Sequence, residues 1–272
     1  MPVSDKVFAG SIPALYDSHL VPLIFEGFAQ DLASRVAALA PAALLETAAG
    51  SGVVTRALAP RLAPAARYVV TDLNQPMLDH AMKRQGTDAR ITWQQADALA
   101  LPFDAASFDV VCCQFGVMFF PDRVGGYREA RRVLKPGGRF LFNVWDRIEE
   151  NVFANDVTNA LAEMFPADPP RFLARTPHGY HDVALIRDEL ERAGFSGIAI
   201  ETRTGQSRAP SPAHPALAYC QGTPLRNEIE ARGADMLQAA TDHATAAIAR
   251  RHGTGEVAAK IQGHVVTATV PP

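Results

Sequence analysis

Residues 43–58 read ALLETAAGSGVVTRAL: an apolar run ending on Glu46, then Gly50-Ser51-Gly52, then a helical pattern that starts at once. A short apolar run closed by glycines is the pattern of a buried strand, and the residues from Val53 to about Leu62 take up helical spacing. The same step recurs downstream. RYVVTDL (67–73) leads into QPMLDHAMKRQ (75–85), and RITWQQAD (90–97) and FDVVCCQF (108–115) are further strands. A helix over DRVGGYREARRVL (122–134) precedes the strand RFLFNVW (139–145). Short apolar strands alternating with helices predict βαβ units, hence an α/β fold with a parallel sheet and helices on both faces. The intervening Lys135-Pro136-Gly137-Gly138 reads as a turn: Pro presets φ, and the glycines supply positive φ where the helix stops.

Outside that core the rhythm loosens, and one domain with a helical insertion is expected. Residues 1–40 read as an N-terminal helical cover, in which PLIFEGFAQDLASRVAAL (22–39) is the helix and Pro41 ends it. Residues 41–146 are the ligand-binding core, and 147–212 the second half of the sheet, with a helix near 150–164, another over 183–195 and a strand GIAIETRT (197–204). Residues 213–263 read as a helical insertion, wholly helical over 213–262, with Leu237, Ala240, Ala244 and Ile248 forming a small-residue stripe. HVVTATV, within 264–272, supplies the last strand. The stripe suits either a modest apolar pocket or a helix–helix homodimer seam.

With 26 Lys and Arg against 29 Asp and Glu, the formal charge is −3. That balance leaves no electrostatic footprint for nucleic acid or an anionic membrane. The N-terminus lacks the pattern of a signal peptide, and no apolar run approaches the length that crosses a bilayer. Cys112 and Cys113 are adjacent in a strand, where their side chains point to opposite faces, and with Cys220 they read as core residues rather than a disulfide or metal site. A soluble, cytoplasmic protein is the expectation.

In an open parallel sheet, ligands bind beyond the carboxyl ends of the strands. Those ends carry Glu46, Gly50 and Gly52 after the first strand, Asp72 after the second, Asp97 after the third and Gln114 after the fourth. Three acids and an amide suit a neutral-to-cationic ligand with hydroxyls and an amine, and suit a pyrophosphate poorly. The glycines admit a ligand against bare backbone, while Asp72, twenty positions past Gly52, stands where an acid accepts ribose hydroxyls. A dinucleotide fingerprint fails on spacing, because its third glycine falls on Thr55, or on Val53 with Ala48 in first place.

Together, LLETAAGSG (44–52), VVTDLNQPML (69–78), WQQADALALPFDAASFDVVCCQFGVMFFPD (93–122) and EARRVLKPGGRFLFNVWD (129–146) resemble the class I S-adenosylmethionine-dependent methyltransferases. The bacterial small-molecule enzymes related to the ubiquinone and menaquinone biosynthesis methyltransferases are the most similar kind. This resemblance implies a Rossmann-like, seven-stranded, mostly parallel sheet with an antiparallel last strand, and S-adenosylmethionine as cofactor. It implies that Glu46 meets the methionine amino group and that Thr47, Ala48, Gly50 and Gly52 line the cofactor. Asp72 would hold the ribose with Leu73 beside it, Met77 would pack by the adenine, and Asp97 would accept the adenine amine next to Ala98. Gln114 and Phe115 would close the methionine side, and Tyr16 would act as cover. The family's acid-x-Gly-x-Gly-x-Gly has Ala48 at its first glycine, where a methyl group is tolerable if φ is negative.

Methyl transfer from a sulfonium is an in-line displacement, so the protein gains most from alignment and exclusion of water. A base is needed only where the acceptor must lose a proton. The candidates are Asp146, after the fifth strand, and His178, Tyr180 and His181 in TPHGYHD (176–182), a segment that also reads as a loop leading to a helix start. His178 and His181 are three apart, but the flanking Pro177 and Gly179 disfavour a metal site. The expected function is methyl transfer to a small-molecule acceptor. The rivals are a non-catalytic adenosyl-ligand-binding protein acting through its helical insertion, and a nucleotide-dependent oxidoreductase.

Overall fold

The structure, a computed structural model, describes residues 12–233 and 235–272, so the first eleven residues of the expected N-terminal cover lie outside the described residues. The strands are β1 Ala43–Glu46, β2 Arg67–Asp72, β3 Ile91–Gln95, β4 Phe108–Gln114, β5 Leu134–Trp145, β6 Ser196–Ala209 and β7 Val257–Thr269. They form one seven-stranded sheet in the order β3-β2-β1-β4-β5-β7-β6. β1 to β5 pair in parallel. β7 runs the other way, as the bonds Gly137 N to Val270 O and Asp146 N to Gln262 O require.

Helix α1 (Ile12–Leu15) continues through a π-helical stretch, Tyr16–Phe25, into α2 (Glu26–Ala38). Then come α3 (Val53–Leu58), α4 (Gln75–Gln85), α5 (Arg123–Val133), α6 (Val152–Met164), α7 (Phe172–Arg175), α8 (Val183–Arg192), α9 (Ala213–Gln221), α10 (Leu225–Glu230) and α11 (Met236–His252). Among the described residues no helix is long and apolar enough to cross a membrane.

Contacts gather the chain into two compact units. One holds residues 27–144, 181–203 and 263–272. Within it, Leu44, Tyr68, Val70, Val110, Cys112 and Leu141 from one sheet face bury against Ala29, Leu32 and Val36 of α2, Val54 and Leu58 of α3, and Leu78 of α4. The opposite face carries Phe140 and Phe142, which meet Tyr127 of α5. The other unit holds, of the described residues, 12–26 together with 145–180 and 204–262. Its helices pack α11 on α9 and α6. In it Asp156, nearly buried, accepts from Arg251 and from His252 Nε2 at 2.7 Å.

Register decides what the sheet offers at its carboxyl edge. Glu46 stands opposite Val70 and Cys112, and Cys112 opposite Leu141. Two residues further on, where β1 has ended, Asp72 stands opposite Gln95 and Gln114 opposite Asn143. Alternate residues share a face, so Gln95, Asp72, Gln114 and Asn143 form one polar row on the face that carries the α2–α4 core, interrupted at β1 by the 47–52 loop.

Two expectations are corrected. The KPGG segment is not a separate turn: β5 already begins at Leu134. The pairing jumps from Phe108↔Leu134 to Val110↔Arg139, so Lys135 to Gly138 bulge past Asp109 and bond to the end of β7 through Val270. The segment 213–262 is not wholly helical either. α11 stops at His252, and β7 begins at Val257, seven residues before the expected start of the last strand. Buried Val257, Ala259 and Ile261 alternate with more exposed Ala258, Lys260 and Gln262, a period of two that the alanines obscured. Finally, the small-residue stripe packs largely inside its own unit: Ala240, Ala244 and Ile248 are fully buried where α11 meets α9 and α6, and Leu237 is half-buried.

Asp109 secures the bulge. Its Oδ1 accepts from Lys135 Nζ at 2.7 Å, and its Oδ2 accepts from the backbone N–H groups of Ala42 and Ala43 at 3.0 and 2.7 Å. Asp109→Ala strands those donors at the start of β1 and is expected to cost about 1–3 kcal/mol. Urea denaturation will show this as a lower midpoint at an unchanged slope.

Candidate cofactor site

Sheet order reverses between β1 and β4, and the loop after β1 fills that switch point. The loop is held from both sides. Thr47 N donates to Cys112 O at 2.9 Å, and Ala49 N to Thr71 O at 3.0 Å. Gly50 N donates to Asp72 Oδ2 at 2.8 Å, while Asn74 N donates to Asp72 Oδ1 at 2.7 Å. Asn74 Nδ2 adds a longer bond to Oδ1 at 3.4 Å, so backbone holds both carboxylate oxygens and a side-chain amide holds one of them as well. Burial raises the Asp72 carboxyl above its ordinary value, against the lowering effect of the Asn74 and Gly50 donors.

Beside Asp72, Leu73 is 43% exposed, an apolar surface at a strand tip, and its carbonyl accepts from Gln95 Nε2 at 2.8 Å. Met77 is buried in α4, its methyl group close to where a side chain on Gly50 would begin. Asp97 is exposed past β3 and turns one oxygen to Leu99 N at 2.9 Å, with Ala98 half-buried beside it. At the β4 tip Gln114 is followed by buried Phe115, whose ring meets Phe28 edge-on at 5.3 Å. The acids and amide named from the sequence thus stand along one edge of one sheet.

Comparison with known proteins bears on what such an edge binds. Residues 45–142 match the model of a methyltransferase domain family. A demethylmenaquinone methyltransferase of Clavibacter sepedonicus is 41% identical over 172 residues, which cover 60% of this chain and 69% of that protein. The chain belongs to the class I S-adenosylmethionine-dependent methyltransferases. The ubiquinone/menaquinone biosynthesis C-methyltransferase UbiE of Ectopseudomonas mendocina is 29% identical over 174 residues, covering 60% of this chain and 68% of that protein. The solved YcgJ protein of Bacillus subtilis shares the fold, with a TM-score of 0.57 at 18% identity over 90% of this chain and 99% of that one. The cofactor of this methyltransferase is S-adenosylmethionine, and the residues present fit it: an acid at a strand tip for a ribose, bare backbone beside it, and an exposed leucine for a purine to cover.

One glycine-motif expectation changes. Ala48 does not take negative φ; it sits at +51°, in the left-handed region. A Cβ added to Gly116 would come within 2.5 Å of the Ala48 Cβ and 2.7 Å of Cys113 Sγ, so the methyl group that replaces the motif's first glycine fills space that Gly116 leaves open. Gly52 is at φ +78°, and a Cβ there would lie 2.9 Å from the Ala81 Cβ. Close approach to α4 and a positive φ therefore both call for glycine at position 52.

Glu46 is also placed differently from a residue open to a ligand. It is 1% exposed, and its Oε2 accepts from the Tyr68 hydroxyl and, at 2.7 Å, from Thr55 Oγ1. Burial pushes this carboxyl up to about 7, in spite of those two donors. Tyr68 is driven well above its ordinary value by burial and by the Glu46 charge.

Tyr16 lies in the other unit, half-buried and stacked on Phe25 at 5.0 Å. So do three of the four candidate bases. Asp146 accepts from Gln262 Nε2 at 2.6 Å and from Arg147 N at 2.7 Å, and buried Tyr180 ends that segment. His178 is buried against Trp145, with Nδ1 2.9 Å from the Asp146 carbonyl. A carbonyl only accepts, so Nδ1 is the donor in this bond. His181 belongs to the sheet unit, where Asp182 caps α8 by accepting from Ala184 N at 2.8 Å. Among the described residues no group of three or more His, Cys, Asp or Glu is placed to hold a metal ion.

Two measurements check this local chemistry. Ala48→Gly relieves left-handed strain worth roughly 1–2 kcal/mol and gives back part of it as unfolded-state entropy, so a net gain of about 0.5–1 kcal/mol is expected in thermal melts. For Glu46, an unfolded carboxyl titrates near 4.5 and the folded one near 7. Between those values the folded protein holds a proton that the unfolded chain has lost, so stability falls as pH rises through the window. Glu46→Gln removes that slope, and its stability relative to wild type is expected to improve steadily from about pH 5 to about pH 7.5.

Proposed function

We propose that the chain binds S-adenosylmethionine along the polar row and methylates a small-molecule acceptor. When bound, the cofactor supplies a methyl group on a sulfonium, ready for in-line displacement. Asp72 accepts from the ribose hydroxyls beside the bonds that tie it to Gly50 and Asn74. Asp97 and the backbone of Ala98 meet the purine, and Leu73 and Met77 give it apolar cover. Gln114 and Phe115 stand on the methionine side. The names of the two relatives specify demethylmenaquinone and ubiquinone or menaquinone biosynthesis, so a demethylated quinol is the first acceptor to test.

The observation that carries this reading is the Gly50–Asp72 bond, which ties bare backbone after β1 to a buried carboxylate after β2. It suits the ribose of an adenosyl ligand, and the absence of a third motif glycine at Val53 or Thr55 is what disfavours a dinucleotide. Calorimetry with S-adenosylhomocysteine and with nicotinamide dinucleotide tests it: heat with the first and none with the second is expected. Asp72→Ala should weaken S-adenosylhomocysteine binding at least tenfold, since hydrogen bonds to a charged group are worth roughly 1.5–3 kcal/mol. Unchanged affinity in a folded variant would remove Asp72 from the site.

A further inference from the structure

Asn143 closes the β5 end of the polar row, in register with Gln114. It is completely buried, and among the described residues neither its Nδ2 nor its Oδ1 has a hydrogen-bonding partner. An amide enclosed with both ends unmade is expensive, and such groups are otherwise satisfied in folded proteins. Leu141, two residues earlier on the same face, is the kind of side chain that stability alone would select there. The same residue does a second task. Its carbonyl accepts from Phe115 N at 3.1 Å, and Phe115 is held at φ +51°, a left-handed conformation that bulky residues rarely adopt. Backbone strain of this kind collects at ligand-binding positions.

We infer that the Asn143 amide receives the amino-acid end of the cofactor, directly or through one bridging water, an assignment that rests on the function proposed above. Chemistry and position agree. An amide presents an acceptor and two donors on one small group, and an α-ammonium beside an α-carboxylate satisfies both kinds. Position follows from strand order. The row runs from Gln95 on β3 to Asn143 on β5, four strand spacings or about 19 Å. With the purine beyond β3 and the ribose at Asp72 on β2, the remaining end of the ligand extends toward β4 and β5.

The test compares the full chain with Asn143→Leu, using S-adenosylhomocysteine and 5′-methylthioadenosine, which has the adenosine and sulfur but lacks the amino-acid end. Ligand-free Asn143→Leu is expected to melt above wild type, because the orphaned amide is gone. It should bind S-adenosylhomocysteine at least tenfold more weakly and bind 5′-methylthioadenosine within about twofold of wild type. An unchanged affinity for S-adenosylhomocysteine, equal losses for both ligands, or a lower ligand-free melting temperature would each overturn the assignment. Should the leucine variant fail to fold, Asn143→Ser must show the same split between the two ligands, and its absence is equally fatal. Wild-type protein that binds neither ligand defeats the proposed function itself, a result separate from any of these.

Discussion

The carboxyl edge of the sheet depends on one carboxylate. Asp72 ends β2 with its two oxygens holding the backbone of Gly50 on one side and Asn74 on the other. Those bonds fix the loop after β1 against the start of α4, and they keep an ion stable where burial works against it. Remove the carboxylate and both the anionic group and the shape of the loop are lost together.

Around that anchor the fold arranges polar groups by register. Because β1 stops two residues short of its neighbours, its loop lies in the gap between Asp72 and Gln114. Glu46, one step below in the sheet, belongs to the interior with Tyr68 and Thr55. Its proton affinity near neutrality therefore reflects core burial, and the bond it makes to Tyr68 braces β1 against β2 beneath the loop. The left-handed Ala48 above it is accommodated because Gly116 has no side chain to compete for the same space.

Much of this was legible from local pattern. Asp72 could be found from its distance past Gly52, and Glu46, Asp97 and Gln114 from their places at strand ends. The misread segments share a cause. KPGG resembles a helix stop and a turn, yet its glycines bond to the end of β7, more than a hundred residues away. Residues 257–262 follow an alanine-rich helix, and their alternation becomes plain only once β7 is paired in the sheet.

The succession of strands and helices along the core, the acids at the strand tips and the glycine-bearing loop were determined by sequence alone, since each is a matter of periodicity or short spacing along the chain. Tertiary structure alone decided that Glu46 faces inward, that Gly52 serves helix packing, and that Asn143 joins the row at the carboxyl edge. Which side chains stand level across a sheet depends on pairing between distant strands, and no spacing within one strand encodes it.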